Sequence, residues 1–423
     1  MSTLLDTASL IVTPNGAKSG KLYSVVPSSG AGDLDVTRAT TATRVNSSGL
    51  IESVGTNIPR LDYSNGSCPS ILVEPQRTNL ALWSSSFDNA DWDKTYSLVT
   101  ANQIVSPSGV QDADKLTENS ANEIHGLYNL NPYTSTTTAT SSLFFKKGTR
   151  QFFSIKLQIG GNSYTQVYDS VNATTTSNSS NGLTSVSSSI VDLGNGWVRA
   201  TLTGTNPSGA ADAYTIYCLS NSGTPTFNPV NFNPTYQGTG TDYGYLWGAQ
   251  LEAGSYATSY IPTTSASVTR NADVISKTGI GSIFGSAYTI YGDFINQNVN
   301  NTRLLSLKIP SAGNYDNFIT IFQNGTALAA TGNNASSAEQ FTITSGSFSL
   351  NQRLKFALRC QNNNVAFYIN GTQIGVDTSC TIPEVTALFL GNYVDVFGVS
   401  VINSTAIWNT ALTNTQLSQL TTL

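Results

Sequence analysis

What the chain has little of narrows the field first. It carries one histidine, His125, in the context ENSANEIHGLYN. Any Ser-His-Asp or Cys-His mechanism would have to run through that residue, and no nucleophile elbow accompanies it. The four cysteines, Cys68, Cys218, Cys360 and Cys380, form no CxxC pair, which argues against zinc. Cys360 and Cys380 fall close enough in sequence to pair, while free buried thiols are the simpler expectation. Charged residues are 11 % of the chain, against roughly 25 % in ordinary globular proteins. The net charge is −5, and no basic block extends beyond Lys146-Lys147, so the footprint of a nucleic-acid binder is missing. No apolar run approaches the ~20 residues of a membrane-spanning helix. The first residues, MSTLLDTASLIVTPNG, have neither the basic nor the apolar region of a signal peptide, so folding in the cytoplasm and release by another route, such as lysis, is expected. No HExxH, Walker or GxGxxG loop stands in a usable context.

What is present is aromatic and neutral-polar. Aromatics make up 10 % of the chain, with 19 Tyr, 17 Phe and 5 Trp, far from the composition of a disordered segment. A chain of 423 residues suits two or three domains. Helix signals are sparse, and short alternating runs are cut by turn residues throughout. Six Asn-Gly dipeptides, at 15–16, 65–66, 181–182, 195–196, 324–325 and 370–371, favour the positive φ of type I′ hairpins. Strands are expected at 151–159 (QFFSIKLQI), 197–203 (WVRATLT) and 365–369 (VAFYI). In WVRATLT the period of two puts Val198, Ala200 and Leu202 on the core face, with Trp197, Arg199, Thr201 and Thr203 opposite. TNTQLSQL near the C-terminus offers one short helix, with Thr413 as N-cap and Gln416 completing a capping box. The class is all-β, in antiparallel sandwiches.

Two strings carry a resemblance. LVEPQRTNLALWSSSFDNADW (72–92) and YLWGAQLEAGSYATSYIPT (245–263) bracket a Ser/Thr/Asn-rich stretch, with DLGNGWVRATLTGT (192–205) inside it. Together they resemble the jelly-roll, carbohydrate-binding-like modules of bacteriophage tail, head-fibre and spike proteins. LDVTRATTATRVNSSGLIESVGTNIPRLDY (34–63) resembles a stretch that precedes such modules. RLKFALRC-QNNN-VAFYINGTQIGV (353–376) is similar to the hairpin of laminin-G or concanavalin-like sandwiches. The resemblance implies an N-terminal extended attachment arm (1–80), a jelly-roll carbohydrate-binding-like domain (81–270) and a laminin-G/concanavalin-like β-sandwich (271–423). In the arm, Arg38, Arg44 and Arg60 are placed to pair with Asp33, Asp35, Glu52 or Asp62. The implied role is structural: a virion component, docked on other virion proteins through the arm, presenting its modules to host-surface glycans. Only 20 Lys and Arg are available to blunt many strand edges, so sister subunits are expected to cover them in a homotrimer.

Glycan binding needs aromatic faces for sugar C–H groups and neutral polar groups for hydroxyls. The candidates are Tyr133, Tyr164, Tyr168, Tyr236 and Tyr243, while Trp83, Trp92, Trp197 and Trp247 are read as core. No catalytic residues are assigned. Of the closely spaced acids, Asp91/Asp93 and Asp112/Asp114 flank loops, and Glu74 and Glu252 read as structural anchors, Glu74 with Arg77. No cofactor is assigned; calcium often braces such modules, and Asp88, Asp112, Asp114 and Glu118 are the candidate ligands for a structural ion. The alternatives are a glycan-cleaving depolymerase, for which neither clustered acids nor β-helix coils are evident, and a lectin-like bacterial surface adhesin.

Overall fold

The computed structural model describes residues 2–129, 135–296, 302–313, 316–393 and 396–423. It is almost wholly antiparallel β and divides into two compact units that do not follow one another along the chain. The first unit is Met1–Ser47, Ser53–Gln76 and Asn271–Leu423. The second, Arg77–Arg270 with Ser48–Glu52, is inserted in the sequence of the first.

This overturns the expectation of an extended arm over residues 1–80. Strand Leu10–Lys18 pairs with Ser400–Trp408, and strand Leu34–Thr37 pairs with Val274–Lys277. Both join one 16-stranded sheet. The physical reason is plain in the burial pattern. Leu34 and Val36 are buried while Asp35 and Thr37 are exposed, the alternation of a strand with one face in a core. Leu10, Val12, Leu22, Leu34 and Val36 pack with Ile275, Ile290, Phe294, Phe356 and Ile407 in a single apolar cluster. An unfolded arm would leave that surface in water.

Two of the arginines expected to pair locally, Arg38 and Arg60, are instead at the centre of a buried ionic network. Arg38 Nη1 donates to Asp273 Oδ1 at 2.7 Å, and Arg60 Nη1 to Glu74 Oε2 at 2.6 Å. Arg60 Nη2 reaches the other Asp273 oxygen, Oδ2. Glu74 and Asp273 also exchange backbone bonds, Glu74 N to Asp273 Oδ2 and Asp273 N to Glu74 O, each 3.0 Å. All four side chains are 3 % exposed or less. Burial opposes the charge of Arg60, but Asp273 and Glu74 outweigh it and raise its pKa above the ordinary value. Glu74 is thus a structural anchor, with Arg60 as an ion-pair partner. Asp35, a predicted partner of these arginines, bonds Lys21 at the surface.

The hairpin Arg353–Gln361/Val365–Ile369/Thr372–Asp377 forms as expected. At its second turn Asn370 and Gly371 have φ of 47° and 82°, the paired positive values of a type I′ turn. The helix Asn414–Thr421 carries the full capping box of Thr413 and Gln416 and buries Leu417 and Leu420 beside Tyr368 and Trp408.

The second unit is a sandwich of two six-stranded antiparallel sheets. The front sheet runs in the order Thr174–Asn181, Asn162–Asp169, Phe152–Ile159, Ala213–Ser220, Gly126–Tyr128, Asp93–Thr95. The back sheet runs Ser97–Ile104, Ala113–Glu118, Tyr243–Ala253, Thr138–Lys147, Trp197–Thr205, Thr184–Gly194. Val198, Ala200 and Leu202 face the core between them, as the alternation of WVRATLT requires. Phe145 stacks on Phe153 at 4.1 Å between ring centroids, and Phe153 on Tyr168 at 5.2 Å. Trp92, Trp197 and Trp247 are buried, and Trp83 packs half-buried against the same core.

Candidate functional site: the outer face of the front sheet

Strand Phe152–Ile159 sets the site. Phe153, Ile155, Leu157 and Ile159 all belong to the core, so Ser154, Lys156 and Gln158 stand on the opposite face. Register fills in the neighbours. Thr165 lies across from Lys156 on one side and Ile216 on the other. Ser154 is flanked by Val167 and Cys218, and Tyr214 lies opposite Gln158. Tyr128 sits across from Ile216 on the next strand. The face therefore gathers two tyrosines, a lysine, an amide and two hydroxyls.

The outer face of a sandwich sheet is ordinarily wet. Here the segment linking Ala213–Ser220 to Pro234–Gln237 folds back over it. Lys156 Nζ donates to the Asn231 carbonyl at 2.8 Å, and Ser177 Oγ donates to the Gly223 carbonyl at 2.7 Å. In consequence Ser154 and Thr165 have no exposure, Asn233 has 1 % and Lys156 4 %. Thr165 Oγ1 and Asn233 Oδ1 are buried without a hydrogen-bond partner, and Ser154 Oγ has only the weakly bonding thiol of Cys218 beside it. Burial lowers the pKa of Lys156, with only Cys218 acting the other way. Burial likewise pushes the Cys218 thiol up to about 12. Each unsatisfied buried polar atom costs about 1–3 kcal/mol, and an ammonium without an acid partner costs more.

The tyrosines singled out in the sequence fall in different places. Tyr168 is buried in the core and donates to Thr201 O at 2.7 Å. Tyr236 is 5 % exposed and donates to Glu118 Oε2 at 2.7 Å. Neither ring is open to a sugar. Tyr164 shares the inward register of Leu157 and is half-buried against the core. Tyr243 is half-buried on the back sheet, with Lys115 Nζ 5.4 Å from its ring centroid. Tyr133 lies outside the described residues. The structure thus brings none of these five onto the face that Lys156 occupies. That face was legible in QFFSIKLQI, where a lysine and two neutral polar residues alternate with four apolar ones.

The remaining candidates are structural. His125 is fully buried, with Nδ1 2.8 Å from the Tyr96 carbonyl and Nε2 3.3 Å from that of Tyr236. Glu118 takes a two-pronged bond from Arg150, at 2.9 and 2.7 Å, and the amide of Thr239. Asp114 accepts the backbone amides of Phe87 (2.7 Å) and Asn102 (2.9 Å), yet burial outweighs both bonds and pushes its pKa up to about 6. No group of three or more His, Cys, Asp or Glu side chains that could hold a metal ion occurs among the described residues, Asp88, Asp112, Asp114 and Glu118 included. Glu252 accepts from Gln250 Nε2 and Thr258 N and anchors the 255–263 segment. Cys218, Cys360 and Cys380 are buried free thiols and Cys68 is exposed.

No protein-family model matches the sequence, and no curated protein sequence matches it. Among solved structures the chain is similar to the carbohydrate-binding module CBM40 of the Ruminococcus gnavus IT-sialidase bound to α2,3-sialyllactose. The identity is 18 %, over 33 % of this chain and 84 % of that one, with a TM-score of 0.29. It is similar to the receptor-binding domain of a botulinum neurotoxin C/D mosaic serotype at 12 % identity, over 35 % and 40 % of the two chains, with a TM-score of 0.29. A SAP-like pentraxin from Limulus polyphemus matches at 16 % identity, over 33 % and 70 %, with a TM-score of 0.27. Scores this low carry no argument about function. The sandwich architecture stands on the strand pairing itself.

Proposed function

We propose that the protein is a glycan-binding protein whose site is the outer face of the front sheet in the Arg77–Arg270 unit. The observation that carries this is a covered polar face, with Thr165 Oγ1 on the sheet and Asn233 Oδ1 in the covering segment buried without hydrogen-bond partners, and with Tyr128 and Tyr214 on the same face of the sheet. Orphaned hydroxyl and amide groups are what a sugar hydroxyl satisfies, and a tyrosine ring covers a sugar's C–H face. The setting we propose is a bacteriophage particle, where the protein is a homotrimeric structural component meeting host-surface glycans. The strings at 34–63, 72–92 and 245–263 support that setting. Attachment through an extended arm is no part of it, because residues 10–37 are strands of the first unit.

The test is a glycan array probed with the intact protein, followed by titration calorimetry on the best ligand. Tyr128→Ala and Tyr214→Ala should each weaken binding about fivefold to tenfold, the scale of one lost ring contact of roughly 1–1.5 kcal/mol. Tyr243→Ala on the back sheet should not. Binding that ignores the front-sheet tyrosines refutes the assignment. Virion mass spectrometry and sedimentation of the purified protein test the particle setting and the trimer.

A further inference from the structure

The glycan reading leaves one group unexplained. A neutral sugar needs hydroxyls and rings, not a buried ammonium. Lys156 stands at the middle of the face, 4 % exposed, with the Asn231 carbonyl as its hydrogen-bond partner and no carboxylate in salt-bridge reach among the described residues. An ammonium has three donors, and a neutral carbonyl satisfies one without balancing the charge. Lysine on a β-sandwich face normally extends to water; here a covering segment prevents it.

That covering segment is built to keep its shape without the sheet. Asn228 N donates to Asn233 O and Phe232 N to Asn228 O, both at 2.9 Å. Asn228 Oδ1 accepts from Val230 N at 2.8 Å, and Asn231 Oδ1 from Asn233 N at 3.1 Å. Its tip is held outward, with Val230 84 % exposed. Among the described residues, the hydrogen bond that ties the tip to the sheet is the one from Lys156. A ligand oxygen that replaced the Asn231 carbonyl would displace the tip as a preformed unit.

We propose that the site takes an acidic glycan: the carboxylate of a hexuronate or sialic-acid-type sugar pairs with Lys156 in place of the Asn231 carbonyl, and the 228–233 tip lifts to admit it. This rests on the glycan reading above and specifies its ligand class. Ser154 and Thr165, adjacent to Lys156 on the same face, take the hydroxyls of the same sugar ring. Asn233 closes over it from the tip.

The experiment pairs oligosaccharides carrying a carboxylate sugar with the same oligosaccharides reduced at that carboxyl to a primary alcohol. Binding of the intact wild-type protein is measured for both. The acid form should bind at least tenfold more tightly. Lys156→Met should bind the two forms equally, close to the wild type's affinity for the alcohol form. Lys156→Arg should retain the preference, and an unchanged circular-dichroism spectrum should show that each variant is folded. Equal binding of acid and alcohol by the wild type, or a preference that survives Lys156→Met, overturns this inference and leaves the glycan site standing. Binding of neither form overturns both.

Discussion

If residues 1–76 are strands of a folded unit, removing Arg60 should be costly; if they are a tether, it should be nearly silent. Arg60 has no exposure and holds Glu74 and Asp273, themselves 3 % and 2 % exposed at the side chain. Arg60→Ala removes the buried ion pair to Glu74. Asp273 keeps Arg38, so half the charge remains balanced. Breaking a buried pair from one side costs about 3–5 kcal/mol. For a unit of this size that is a fall in melting temperature of roughly 6–20 °C. The contrast is Lys21→Ala, which removes a surface pair whose side chains are 36 % and 52 % exposed and should change stability by less than about 1 kcal/mol. Hydrogen exchange followed by mass spectrometry reads the effect locally. In the wild type, amides of 10–26 and 34–37 should exchange as slowly as those of their partners in 274–277 and 400–408. In Arg60→Ala they should all speed up together, by a factor of about a hundred or more if exchange requires the unit to open. Exchange of 10–37 at the rate of a free chain in the wild type would refute the reasoning, as would an Arg60→Ala variant no less stable than Lys21→Ala.

Three further outcomes are expected. Lys156→Met should raise the melting temperature, because it removes an unbalanced buried ammonium, on the order of 1 kcal/mol, while keeping most of the stem's packing; a loss of stability would contradict the reading of Lys156 as a functional cost. Asp114 has a folded pKa raised to about 6 from an ordinary value of 3.8, so the native state binds more protons than the unfolded one between those values. Its contribution to stability is therefore fully present below about pH 4 and is lost as pH rises through 6, on the order of 2 kcal/mol in all, and comparing urea midpoints of wild type and Asp114→Asn across pH 4–7 should show the difference shrinking toward low pH. A thiol reagent should label Cys68 rapidly in the native protein, and the other three only after denaturation, since they are buried and burial raises the thiol pKa of each; two thiols that react only after reductant is added would point to a Cys360–Cys380 bond.

How much of this was legible depended on the range of the signal. Local devices read well. The period of two in WVRATLT placed three core residues, Asn370-Gly371 made the tight turn, and Thr413 with Gln416 capped the helix. Asn-Gly was less decisive elsewhere. At 324–325 strand pairing runs through Asn324 and only Gly325 takes a positive φ, 61°, so the turn sits one residue later. Within 1–80 strands Leu10–Lys18, Lys21–Val26 and Leu34–Thr37 pair with one another, but the partners that build them into the unit lie more than 200 residues away, at 274–277 and 400–408, and nothing in the local sequence shows that. The same distance hid Asp273, the acid that binds both Arg38 and Arg60. The tyrosines were chosen by composition, which does not distinguish the inward register of Tyr164 and Tyr168 from the outward register of Tyr214. The polar face of QFFSIKLQI was visible as an alternation. Its burial was not, because the covering segment arrives from 221–233.

The central claim is that an acidic glycan sits on the outer face of the front sheet. A crystal structure of the intact protein with the best array ligand tests it most directly. The account predicts sugar density over Tyr128 and Tyr214, a carboxylate on Lys156 Nζ, and residues 228–233 moved off the sheet. Ligand density on the back sheet or in the first unit, with the Lys156–Asn231 bond intact, would contradict it.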